Sequence, residues 1–109
     1  MDLHKLGESL QQLYGDKIYN CYVGTKTNIL VSFIEDHYGD RTFILIIKYN
    51  GDVVIEETPK DSLSIIYAHY QITDDNPKPI DKAFDKDVLD IIDNIRQAYT
   101  QSHGITPNP

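Results

Sequence analysis

The stretch TFILIIKYNGDVVIEE, residues 42–57, decides the fold. Two runs rich in β-branched and aromatic residues flank Asn50-Gly51, the dipeptide favoured in a two-residue type I′ hairpin because both positions need φ > 0. The turn predicts strands over residues 42–49 and 52–57. It also predicts their register: Tyr49 faces Asp52, Lys48 faces Val53, Ile47 faces Val54 and Ile46 faces Ile55.

Upstream, Lys17 to Val23 and Thr27 to Glu35 have the same β-forming character and are separated by a turn at Gly24 to Lys26. The polar run from Asp36 to Asp40 reverses the chain into the hairpin. Before these strands, Leu3, Leu6, Leu10 and Leu13 recur at steps of three and four, which predicts a helix over residues 2–14 with Asp2 as N-cap and Gly15 as its stop.

Downstream of Pro59 the pattern divides. Leu63, Ile66, Tyr67 and Tyr70 fit a helix capped by Asp61 or Ser62, and Leu63, Ile65 and Tyr67 fit a fifth strand; the helix is the expectation. Thr73 to Pro79 reads as a loop. Phe84, Val88, Ile91, Ile92, Ile95 and Tyr99 form a long helical stripe, capped by Asp81 and stopped at Gly104.

The expected architecture is α+β, with an antiparallel four-stranded meander (five-stranded if residues 61–72 are a strand). An N-terminal helix and a long C-terminal helix pack on it. Residues 1–104 make the domain and 105–109 a tail. The order of elements is similar to that of ubiquitin-conjugating-like and RWD-like domains, but the catalytic-cysteine context and the proline signature of those groups are missing.

The central strands are apolar in both directions: Phe43, Leu45 and Ile47 point one way, Ile44 and Ile46 the other. A sheet with one solvated face alternates apolar with polar, so something should cover the second face. Residues 61–72 are the expected cover, and a second subunit or a partner is the alternative. Tyr19 and Tyr22, three apart in a regular strand, should point to opposite faces.

With 109 residues the chain forms one domain. Its net charge is −7, and the excess of acid lies beyond residue 34, because residues 1–34 carry three acids and three bases. Such a surface repels phosphate, so direct nucleic-acid binding is not expected. The longest apolar run, Phe43 to Ile47, is far short of a membrane span, and the start of the chain has no apolar signal region, so the cytoplasm is the expected location. Cys21 is the only cysteine and reads as a small buried hydrophobe.

Motifs for chemistry are sparse. His4, His37, His69 and His103 show no metal-binding spacing, Glu35-Asp36-His37 reads as a solvated turn, and Asp74-Asp75-Asn76 lacks the later ligands of a calcium loop. Ser102 beside His103 is the one serine–histidine pair, at a chain end. No catalytic residue, cofactor or metal is expected.

The functional expectation is a small acidic binding protein: an inhibitor, an immunity-type factor or an adaptor acting on a larger basic partner. Asp87, Asp90 and Asp93 recur every three residues as an acidic ridge on the last helix and could imitate part of a phosphate track. With Tyr67 and Tyr70 they are the candidate partner-binding residues. The alternative is an assembly subunit that homo-oligomerises through its sheet.

Overall fold

The computed structural model describes residues 1–36, 38–80 and 85–103. Its elements are α1 (Leu3–Tyr14), a 3₁₀ turn (Gly15–Lys17), β1 (Ile18–Val23), β2 (Ile29–Glu35), β3 (Thr42–Lys48), β4 (Asp52–Glu57), β5 (Ile65–Gln71) and α2 (Lys86–Ser102). The strands form one antiparallel sheet in the order β1-β2-β3-β4-β5. The α+β meander is as expected, with five strands.

Asp2 caps α1 by accepting from the Lys5 N–H, and Gly15 ends the helix at φ 61°. Leu3, Leu6 and Leu10 face the sheet, and a Cβ at Gly7 would lie only 3.4 Å from Cys21 and Leu30. That small residue lets the helix lie close on β1 and β2. At α2 the N-cap is Asp85, whose carboxylate accepts from the Asp87 and Val88 N–H groups, and His103 is the C-cap. The expected cap Asp81, the stripe residue Phe84, the stop Gly104, the tail 105–109 and His37 lie outside the described residues.

One core joins Leu3, Leu6 and Leu10 of α1, Val88, Ile91, Ile92, Ile95 and Ala98 of α2, and a single face of the sheet. This inner face carries Leu30, Ser32, Ile34, Phe43, Leu45, Ile47, Val53, Ile55, Glu57 and Ala68, all buried. Each fully buried Leu, Ile or Phe contributes about 1.5–3 kcal/mol, so this layer holds the two helices to the sheet.

The hairpin register differs from the expectation by one residue. Leu45 pairs with Ile55, Ile46 with Val54 and Ile47 with Val53. The turn is a three-residue loop in which the Gly51 N–H donates to the Lys48 carbonyl at 2.9 Å; only Gly51 takes positive φ, at 96°. A type I turn followed by a left-handed glycine adds one residue to the type I′ loop. The slip decides which way β4 faces: Val53 and Ile55, not Val54, enter the core. A type I′ register would have paired Ile47 with Val54 and turned Val53 and Ile55 to the outer face.

Residues 65–71 form an edge strand rather than a helix. The register shifts between Ile55↔Ala68 and Glu56↔Ile66, leaving Tyr67 as an extra residue in β5. This bulge turns Tyr67 and Tyr70 to the same side although they are three apart, which imitates a helical period. The Ile80 N–H donates to the Tyr67 carbonyl at 2.6 Å, so the following loop covers part of the β5 edge.

A second bulge lies at the other edge. In β1, Tyr19 pairs with Phe33 and Tyr22 with Val31, with Asn20 at φ 51° between them. Both tyrosines therefore point to the outer face, against the expectation that they point apart.

Candidate docking surface

The outer face of the sheet carries two cross-strand rows. One runs Tyr19, Phe33, Ile44, Glu56, Ile66; the other runs Tyr22, Val31, Ile46, Val54, His69. Ile29 extends the apolar area beside Lys48, and Glu35 with Thr42 closes the opposite end. Tyr19 stacks on Phe33 with ring centroids 5.6 Å apart. Tyr22 and Ile66 are 56% and 50% exposed, and the central Val31, Phe33, Ile44, Ile46 and Val54 are only half-buried, shielded by one another.

Both helices lie on the inner face and β5 lies in the plane of the sheet, so among the described residues no element covers this surface. Residues 61–72 do not provide the expected cover. Their backbone instead completes the β4 ladder, and Leu63 stands 89% exposed in the loop before β5. Contiguous apolar patches of this kind are uncommon on a monomer unless they meet another surface.

The candidate residues of the sequence divide between two places. Tyr67 and Tyr70 do not lie on an outer surface. The Tyr67 hydroxyl donates to Glu57 Oε1 at 2.9 Å and receives a bond from Arg41 Nη2 at 3.2 Å, and the Tyr70 hydroxyl is buried. Burial pushes the Tyr70 hydroxyl well above the ordinary tyrosine range.

Tyr67 belongs to a knot around Arg41 that the sequence does not announce. The guanidinium grips Glu57 with Nε and Nη2 at 3.2 and 2.9 Å, meets Asp85 at 3.1 Å and Asp87 at 2.9 Å, and stands 4.5 Å over the Phe43 ring. It ties the start of β3 to β4, β5 and the first turn of α2. The paired fork geometry suits Arg and would not suit Lys. The Glu57 bonds, set against some loss of solvation, hold the guanidinium further above its already high range. Burial would raise the Asp85 carboxyl, but the bonds from Arg41 and from the Val88 and Asp87 N–H groups outweigh it and hold the group below the usual carboxylate range.

Asp87 of the expected ridge is thus engaged by Arg41, whereas Asp90 and Asp93 are exposed. The fold brings all three beside Glu35 and Asp36, around a cavity of about 320 Å³ whose walls include Leu13, Ile34, Phe43 and Ile91, and also Lys17. Asp36 is itself occupied, since its carboxylate accepts from the Asp40 and Arg41 N–H groups and closes the β2–β3 turn.

Other polar clusters serve local structure. Asp74 accepts from the Asn76 N–H in a loop turn. Ser102 Oγ lies 2.7 Å from His103 Nδ1, and both atoms also reach the Tyr99 carbonyl at the end of α2. Among the described residues no group of His, Cys, Asp and Glu is arranged to hold a metal ion, and no helix is long and apolar enough to cross a membrane. Comparison of the chain with protein-family models, curated proteins and solved structures finds no match.

Proposed function

We propose that this chain is a non-catalytic protein-binding module that docks another polypeptide through the outer face of its sheet. The carrying observation is that face: two rows of aromatic and aliphatic side chains, with both tyrosines of β1 turned onto it by a bulge and no described element above it. A planar surface of mixed aromatic and aliphatic groups with a charged rim suits recognition of a complementary protein surface. Replacing Ile46 by Lys at its centre tests this. The variant should remain folded by circular dichroism and lose the chemical cross-links to other polypeptides that the wild-type chain forms. Unchanged cross-linking in a folded I46K variant overturns the reading.

A second reading, action on a larger basic partner as an inhibitor or immunity-type factor, rests on a different observation. Asp87, Asp90 and Asp93 line a cavity with apolar walls, beside Lys17 on the same wall. The aliphatic stem of a Lys or Arg fits such walls while its cation meets the carboxylates. Titration with an oligolysine peptide tests it: D90N/D93N should weaken binding several-fold and flatten its salt dependence. Binding that is unchanged at low salt removes this reading.

A further inference from the structure

We infer that the partner at the outer sheet face is a second copy of this chain, packed face to face about a two-fold axis running across the strands. The inference rests on the docking reading above and names its occupant. Three observations favour the second copy: the extent of the face, its charge pattern, and the position of every described element.

Five strands about 4.8 Å apart and six to seven residues long give a face of roughly 500 Å². Two such faces together bury about 1,000 Å², the size at which specific interfaces begin. The surface is therefore large enough to hold two copies together, in a reversible dimer.

The charges choose the axis. The outer face carries Lys48 at one end of β3, with Asp52 of β4 beside it, while Glu35 lies at the other end of the face, beside Thr42. A two-fold axis parallel to the strands would place Lys48 on the second copy's Lys48 and set Glu56 on the second copy's Phe33. An axis across the strands reverses the ends. Lys48 then lies over the second copy's Thr42 and next to its Glu35, and Glu56 lies over the second copy's Val54, next to its His69. The apolar rows also exchange: Tyr22 meets Tyr19, Val31 meets Phe33 and Ile46 meets Ile44 of the other copy. Like-charge contacts at a desolvated interface are costly, so the crossed arrangement is the one this surface supports. Sheets packed in this way sit about 10 Å apart and turn by about 30°, within reach of a lysine side chain bridging to a facing carboxylate.

Nothing in the described chain competes for the face. α1 and α2 pack on the inner side and β5 is fixed in the plane by its ladder to β4. Residues on a two-fold face must be complementary to themselves, and the alternation of Tyr, Phe, Val and Ile across the two rows meets that condition.

Sedimentation velocity of the full chain, from micromolar to sub-millimolar concentration, tests the inference. The wild type should shift from its 12.5 kDa monomer to twice that mass. I46K should weaken association by about tenfold or more, since it places a charge at the centre of the interface. K48E should weaken it several-fold, and the exchange K48E/E35K should restore it, which only the crossed axis allows. A wild-type chain that stays at monomer mass throughout overturns the second copy. If that monomer still cross-links to other polypeptides in an Ile46-dependent way, the docking reading stands without it; if it does not, both fall. A dimer that ignores K48E overturns the crossed arrangement.

Discussion

The two faces of this sheet are built from almost the same residues and have different environments. Along β3, Phe43, Leu45 and Ile47 are sealed beneath two helices, while Ile44 and Ile46, one step away, remain half-buried. Hydrophobicity does not separate them. The helices can lie on only one side, and the stripes of α1 and α2 are matched to it: Leu6, Leu10, Val88 and Ile95 join Leu30, Leu45 and Ile55 in one buried cluster. An apolar residue in a strand therefore reports that it is near the middle of a sheet, and says little about what covers it.

The comparison is tested most strongly by cutting one side chain from each face. Leu45→Ala removes a fully buried leucine and should cost about 2–5 kcal/mol in urea unfolding. Ile46→Ala, on the outer face of a dilute and hence monomeric sample, should cost roughly 1 kcal/mol or less, because its side chain is already partly hydrated. Equal losses would mean that the outer face is covered within one chain.

The inner face also depends on the loop that sets its register. A Cβ at Gly51 would lie 2.7 Å from the Gln71 side chain and 3.3 Å from Ile72, at a φ of 96°. Gly51→Val should therefore lose about 1–3 kcal/mol. A variant melting like the wild type would show that another loop conformation holds β4 in place.

The polar margins of the inner face respond to pH at both ends of the scale. Burial, reinforced by Asp90, pushes the Tyr14 hydroxyl up from 10.0 to about 12. A raised folded pKa contributes stability in full below 10.0, and that contribution is lost as pH rises through about 12. Alkaline unfolding followed by tyrosinate absorbance should begin above pH 10 and be less steep in Tyr14→Phe. At the acid end Asp85 has a lowered folded pKa, so its contribution is present above 3.8 and disappears as pH falls through the folded value. Arg41→Met should remove most of that acid dependence, because the bonds that hold Asp85 ionised come mainly from the guanidinium.

The smallest expected change is a gain. Ser32 lies fully buried on the inner face, and its hydroxyl has no hydrogen-bond partner among the described residues. Ser32→Ala should leave stability unchanged or raise it by about 1 kcal/mol, since an unpaired buried hydroxyl is costly. A clear loss on thermal melting would show that the hydroxyl has a partner.

Both misread tyrosine pairs have one cause. Period-two reasoning placed Tyr19 and Tyr22 on opposite faces, and period-three reasoning made Tyr67 and Tyr70 a helical pair. In each strand a bulge adds one residue and puts positions three apart on one side. Bulges occur at sheet edges, where a ladder exists on one side only and an extra residue disturbs fewer bonds. The regular central strands β2 and β3 had no such ambiguity, and their limits were read to within two residues.

The sequence by itself determined the two helices, the four-strand meander and the excess of acid, because these follow from local periodicity, caps, turn residues and composition. The Asp87, Asp90 and Asp93 ridge was legible for the same reason, being a repeat within one helix. Tertiary structure alone decided that the hairpin has three loop residues, that residues 65–71 join the sheet, and that Arg41 gathers Glu57, Tyr67, Asp85 and Asp87 from elements up to 46 positions apart. It also decided that both β1 tyrosines join the open face. Each of these depends on which groups meet across the chain: a strand edge needs donors and acceptors, and a buried carboxylate needs a cation. Such pairings leave no period along the sequence from which they can be read.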